Sequence, residues 1–474
     1  MTGSPLSARA LEDLLGEWRD AAAPAYQALA DRIRLLVLDG RIGIDRRLPA
    51  ERELAERLRL SRTTVTAAYA ALRESGFASS RRGSGTLACL PGSSPAALAI
   101  VGGGLLDFSK AALPAAPQLA EAAVRAAAEL PRHLGGSGFD PIGLPDLRAA
   151  IAARYGVRGL PTDPEQIMVT IGAQHAIALI CRVLLGRGDR VLIEQPSYPH
   201  AYEAVRQAGA RLVPVSVTSD EGWDEQQLVG GIRATSPAMG YLMPDFHNPT
   251  GRSMPAGQRE RMLAAAARQG TVIVADETTA ELDIDRTGEL LPLAAYGPAV
   301  LIGSVGKTVW GGVRIGWIRA ERSLIRKLVA ARSSGDLGTP VLEQLIVADL
   351  LGEGWSGILR ERGDVLRRGR AAVETALAAR VPEWTVPHVD GGLSTWVHLG
   401  APLSSQLALA ARTQGLLVAA GPRFGAEGAF ERFLRVPIGY STEEIDRAAD
   451  ALARSWQGLV RNPMPDTGFL ADVV

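Results

Sequence analysis

The chain has 474 residues, 47% of them hydrophobic, enough for two or three domains with sizeable cores and too apolar for wholesale disorder. Its 51 Lys and Arg balance 51 Asp and Glu, so total charge offers no case for a nucleic-acid partner. The distribution does: Gly40 to Ala88 holds 10 arginines against 5 acidic residues, leaving −5 on the rest. Two cysteines, Cys89 and Cys181, are too few for a disulfide framework or a zinc site, so no metal is expected. No basic leader with an apolar core opens the chain, and no run of about 18 apolar residues occurs, so the expectation is a cytoplasmic protein without a membrane partner.

The first periodic segment, 26–39, spaces Leu29, Ile33, Leu36 and Val37 as one helix face, with Gly40 as its stop. A second short helix follows Pro49 and buries Leu54 and Leu58. After the turn RLRLS, Ser61 can cap a third helix that turns Val65, Ala68 and Leu72 inward and Arg62, Thr63 and Thr66 outward. FASSRRGSGTLA then reads as two short strands around a basic glycine turn. Three short helices and a basic hairpin suit a winged helix-turn-helix, although periodicity leaves a small bundle with solvated arginines equally open.

The wording of LPAERELAERLRLSRTTVTAAYAALRESGFASSRRGSGT resembles the GntR family of DNA-binding regulators over residues 1–88. That resemblance implies a double-stranded DNA operator as partner, contacted by Arg52, Arg62, Thr63, Thr64, Arg82 and Gly83. Thr66 stands where some members carry a further arginine.

Residues 89–105, beginning CLPGSSPAALAIVGGG, have the composition of a linker. Beyond them, apolar runs such as QIMVTIG, RVLIEQP, AMGYLMP, TVIVADE and AVLIGSVG alternate with amphipathic helices, as in a mostly parallel sheet covered on both faces. From about Val341 a long helix and a smaller α+β piece are expected, with strands near LSTWVHL and FLRVPIG. Polar residues gather at the ends of the apolar runs, where ligands sit in such folds. Gly172, Ala173 and Gln174 open a helix, and Tyr198, Asn248 and Asp276 each follow or end a strand. Ser304, Lys307 and Arg314 share one segment. Singly, each has a structural reading as a cap or core residue. GSVGKT is no phosphate loop, because Leu301 occupies the place of the required first glycine.

In this order, with GFDPIGLPDLRAAIAARY ahead of them, the motifs resemble fold-type I enzymes of the class I/II aminotransferase group over 106–474. A GntR-type head on such a body is the arrangement of the MocR subfamily. The resemblance implies an α/β fold with pyridoxal 5'-phosphate as cofactor. Lys307 would form the Schiff base, Asp276 would hold the ring nitrogen, Tyr198 would stack on the ring and Asn248 would bond its oxygen. Gly172, Ala173, Gln174, Ser304 and Arg314 would hold the phosphate, and Arg435 the carboxylate of an amino compound. Where relatives carry a tyrosine two or three residues past the aspartate, this chain has Thr278 and Thr279, too short for the same contact. The expected function is a homodimeric regulator that senses pyridoxal phosphate, or an amino compound forming an aldimine with it; the alternative is an active aminotransferase with an appended head.

Overall fold

A computed structural model of the chain describes residues 6–16, 18–19, 24–38, 42, 46–81, 85–89, 105–352, 354–426 and 428–461. Arg82, Gly83, Gly40 and nearly all of the linker fall outside them. In the head, α1 (Ala8–Leu15) precedes α2 (Ala25–Leu38), α3 (Glu51–Leu58) and α4 (Arg62–Glu74). The first periodic segment, the short helix after Pro49 and the Ser61-capped helix correspond to α2, α3 and α4. The sequence reading assigned no helix to α1. Its signals are a Ser7 cap that accepts from the Ala10 amide, Gly16 at the end, and an apolar face on which Leu11 and Leu15 are fully buried. It packs on α3, where Arg57 pairs with Glu12. The strands β1 (Ala78–Arg81) and β2 (Gly85–Ala88) pair antiparallel.

The body is built on β4 (Ile167–Thr170), β5 (Arg190–Gln195), β6 (Arg211–Thr218), β7 (Gly222–Trp223), β8 (Met239–Leu242), β9 (Val272–Asp276), β10 (Val300–Ser304) and β11 (Gly316–Arg319). Among the described residues these form one eight-stranded sheet in the order β4-β11-β10-β9-β8-β5-β6-β7. The pairs β6–β5, β5–β8, β8–β9 and β9–β10 are parallel, and both edges carry antiparallel pairs. Alternate residues of each strand feed opposite cores. Leu192 and Ile273 face one, while Val191, Ile193, Tyr241 and Val274 face the other, which is why these segments read as unbroken apolar runs.

A smaller sheet has β3 (Leu106–Phe108), β12 (Ser394–His398), β13 (Leu416–Ala420) and β14 (Phe433–Pro437) in the order β12-β14-β13-β3. The smaller layer, expected from about Val341 onward, thus also takes a strand from the start of the body. The expected long helix is two helices, Val341–Leu350 and Trp355–Arg380. The helix Ser404–Thr413 touches α2, and its Leu409 packs against the head's core. Among the described residues no helix is long and apolar enough to cross a membrane.

Candidate functional site

The parallel strands deliver their last residues to one cavity of about 230 Å³, lined by Ala173, Gln174, Tyr198, Asn248, Asp276, Thr278, Ser304, Lys307, Arg314 and Arg435 among others. Gly172 opens the helix Gly172–Leu184 beside it with φ 76°, a conformation that favours glycine. A Cβ on Gly172 would stand 3.0 Å from Arg314 Nη2, and one on Gly316 would meet Gly172 C at 2.6 Å. These two glycines let the helix start and the Lys307 segment approach closely. Arg314 is itself left-handed (φ 58°), an uncommon state for a residue with a side chain, and Nη2 donates to Ile171 O at 3.1 Å. Amides of a helix start and a guanidinium thus face the same space, as an anion such as a phosphate requires. Ser304 Oγ donates to Ile315 O at 2.9 Å.

Lys307 Nζ donates to Ala111 O at 2.7 Å. Burial, reinforced by the positive charge of Arg435, brings this amine down to about 8, and Asp276 opposes the shift. Arg435 is only 8% exposed, its guanidinium lies 5.0 Å from the Phe424 ring centre, and Nη2 donates to Ser109 O. Its Nε has no hydrogen-bond partner, and among the described residues no carboxylate pairs with it. Burial lowers this guanidinium to about 10.

Asp276, at the end of β9, is 2% exposed. Burial raises its carboxyl above the usual range, and hydrogen bonds from Tyr241 and Thr278 partly offset this. Tyr198 is pushed up to about 12 by burial and then by the negative charge of Asp276. Asn248 Oδ1 is buried without a hydrogen-bond partner among the described residues. Thr279 Oγ1 donates to the carbonyls of Asp245 (3.1 Å) and Phe246 (3.3 Å), so this hydroxyl is spent on the loop before Asn248. Thr278 lines the cavity, and its amide donates to Asp276 Oδ1 at 3.0 Å.

The structure therefore brings the body residues singled out in the sequence to one cavity or its immediate wall. Sequence reasoning missed Ala111, Phe424 and Tyr241, which touch Lys307, Arg435 and Asp276 from other elements. The one available signal was Tyr241, a polar-tipped ring in an otherwise apolar strand. Away from the cavity, Asp285, His388 and Asp390 are exposed and close enough to share an ion, but Arg370 already bridges both oxygens of Asp285 at 2.8 and 2.6 Å.

In the head, Ser61 Oγ accepts from the Thr64 amide at 3.1 Å and lies 2.7 Å from both Thr63 Oγ1 and Thr64 Oγ1. Thr66 donates to Glu51 at 2.7 Å. Arg52 and Arg62 are exposed. The start of α4 thus presents Arg62 and a cluster of hydroxyls, suited to a major groove and its phosphates.

A helix-turn-helix head on a body with this lysine-centred cavity defines a DNA-binding regulator with an aminotransferase-type domain. The class I and II aminotransferase family matches residues 105–452, and the gntR family of bacterial regulatory proteins matches residues 25–87. The chain is 30% identical over 443 residues to the probable rhizopine catabolism regulatory protein MocR of Rhizobium meliloti, covering 84% of this chain and 86% of that one. It is 34% identical over 374 residues to a 2-aminoadipate transaminase of Thermus thermophilus, covering 75% of this chain and 91% of that one. Among solved structures, the alpha-aminoadipate aminotransferase LysN of Thermus thermophilus, complexed with N-(5'-phosphopyridoxyl)-L-leucine, matches with a TM-score of 0.69 at 31% identity. That match covers 78% of this chain and 96% of LysN. The chain belongs to the class I and II aminotransferase family and carries a gntR-family head, the MocR-type arrangement. It is a pyridoxal-phosphate-dependent, DNA-binding transcriptional regulator.

Proposed function

We propose that the body holds pyridoxal phosphate on Lys307, that an amino compound with a carboxylate is its effector, and that occupancy changes the head's affinity for DNA. The observation that carries this reading is the buried guanidinium of Arg435, without a carboxylate partner among the described residues, in the same cavity as a lysine lowered to about 8. A buried cation is costly unless paired, so the site is built for an anion to arrive. At pH 7 roughly a tenth of Lys307 is the neutral nucleophile, against fewer than about one in a thousand ordinary lysines.

The bound cofactor supplies an electrophilic carbon and an electron-withdrawing ring. The protein residues do the rest. Gly172, Ala173, Gln174 and Arg314 would hold the phosphate, joined by Ser304 once its hydroxyl turns from Ile315 O; Asn248 would bond the ring oxygen and Tyr198 would pack on the ring. Asp276 would accept from the protonated ring nitrogen, a pairing that would offset the burial of this carboxylate. Arg435 takes the effector carboxylate and is positioned against Phe424. From there a physical route runs outward: the Gly421 amide donates to Ser404 Oγ at 3.0 Å, and Ser404 begins the helix whose Leu409 packs on the head. A shift of Arg435 towards a ligand would be passed to α2 through these contacts.

We further propose a cytoplasmic homodimer. Phe139 and Leu337, 67% and 55% exposed, sit on loops that meet at Asp140 and Gly338, and a second copy would cover both side chains. Sedimentation of the full chain tests it, and a monomer at micromolar concentration refutes it. In the head, Arg52, Arg62, Thr63, Thr64, Arg82 and Gly83 contact the operator. The central test is a gel shift on duplex DNA selected from a random pool, with and without pyridoxal phosphate and a panel of amino acids. Affinity indifferent to every addition rejects the sensing role. The aminotransferase reading has its own support in the 34% identity to a transaminase. The hydroxyl of Thr279, engaged with backbone, weighs against it, because no phenol holds the ring oxygen from that position.

A further inference from the structure

One buried group beneath the cavity has no part in the roles above. Tyr241 is 1% exposed, and its hydroxyl donates to Asp276 Oδ2 at 2.6 Å. The contact follows from strand register. In the parallel pair β8–β9, Tyr241 stands opposite Val274, and Asp276, two residues further along, projects from the same face. We propose that Tyr241 is a positioning residue which, by donating to Asp276, keeps that carboxylate an acceptor, so that the proton between it and the cofactor's ring nitrogen lies on the ring. This rests on the reading of Asp276 as partner of the ring nitrogen.

A phenol can donate one proton, and among the described residues Asp276 is the acceptor that receives it. Burial, and then the charge of Asp276, pushes Tyr241 well above its usual range, so the phenol keeps its proton throughout the working pH range. The other oxygen, Oδ1, accepts from the Thr278 amide at 3.0 Å. Both carboxylate oxygens thus already receive a donor, which stabilises the ionised form and lowers its affinity for a proton, while each keeps a second lone pair free to accept from the ring N–H. That matters because the surroundings favour the neutral acid: the carboxyl is buried, and the charge of Glu194 also raises Asp276. Glu194 is itself held by Trp223 Nε1 at 2.6 Å and the Met243 amide at 2.9 Å. Without the phenol, the balance shifts towards neutral Asp276 and an unprotonated ring nitrogen. Tyr241 does not line the cavity; it acts through Asp276.

The test uses the full chain, wild type and Tyr241→Phe, loaded with pyridoxal phosphate labelled with nitrogen-15 at the ring. Its nitrogen resonance reports ring protonation directly, whether or not any substrate turns over. The expected result is a pyridinium-like shift in the wild type and displacement towards free pyridine in Y241F. Affinity should fall about tenfold for pyridoxal phosphate, the loss of one charge-assisted bond, and be unchanged for an analogue with carbon in place of the ring nitrogen. An unmoved resonance, or equal weakening for both ligands, overturns the proposal and leaves Tyr241 a packing residue. If Y241F does not fold, replacing Tyr241 with 4-aminophenylalanine keeps the ring and a polar tip but weakens the donor. The resonance should then move part of the way towards free pyridine, and no movement overturns the proposal. Wild type that attaches no cofactor at Lys307 defeats the underlying reading instead, so the two failures are distinguishable.

Discussion

Arg435→Met separates binding from stability in one substitution. Methionine keeps an apolar stem against Phe424 and removes the charge. The folded guanidinium lies at about 10 against an ordinary 12.5, so the unfolded chain holds this proton more tightly. Below both values the group is charged in either state, and its burial penalty is present in full at neutral pH, fading only as pH rises past about 10. At 1.36 kcal/mol per pH unit that penalty is about 3 kcal/mol. Loss of the bond to Ser109 O returns about 1 kcal/mol of it. We therefore expect R435M without effector to be more stable by about 1–2 kcal/mol, a rise in Tm of a few degrees. Losing a buried partner for a carboxylate costs roughly 2–5 kcal/mol, so affinity for amino acids should fall at least about thirtyfold. The assay pairs thermal unfolding with spectral titration of cofactor-loaded protein by leucine and by the same amine without its carboxylate. Wild type should prefer the acid and R435M should not discriminate. Retained discrimination, or a lower Tm without effector, would refute the assignment of Arg435 as an anion site.

Arg62→Ala should weaken binding to selected DNA by about 1–3 kcal/mol, tenfold or more, without altering the cofactor spectrum; a gel shift with unchanged affinity removes Arg62 from the interface. The rate at which added pyridoxal phosphate attaches should rise with pH through about 8 and level off above it, following the neutral amine of Lys307. Attachment traced by borohydride trapping and peptide mapping should vanish in Lys307→Ala. Leu11→Ala should cost the head about 2–5 kcal/mol, because Leu11 is fully buried where α1 packs on the helix-turn-helix; unchanged unfolding of the head would show α1 to be dispensable. Steady-state transamination of an amino-acid panel should fall well below about 1–10³ per second, and turnover within that range would favour the enzyme reading.

Where local chemistry sets the structure, this protein is legible from its sequence. Ser61 caps α4 because a hydroxyl before a periodic segment has an amide to satisfy, and the apolar runs become central strands because only a doubly covered sheet buries both faces. The polar residues after those runs meet in one cavity because parallel strands end on the same side. Helix α1 was missed because eight residues carry little periodic signal, and its partner α3 lies some 40 residues away in the chain. The strand Leu106–Phe108 was missed likewise, since its pairing with Leu416–Val418 spans the whole body. What tertiary structure alone decided is the state of the groups in the site. Asp276 receives the Tyr241 phenol because β8 and β9 pair in one register, and a slip of one residue would turn that ring to the opposite face. Lys307 is lowered, and Arg435 left without a carboxylate, by what the folded chain places around them. Desolvation and pairing are properties of a neighbourhood, and a sequence names the residues without saying which of them become neighbours.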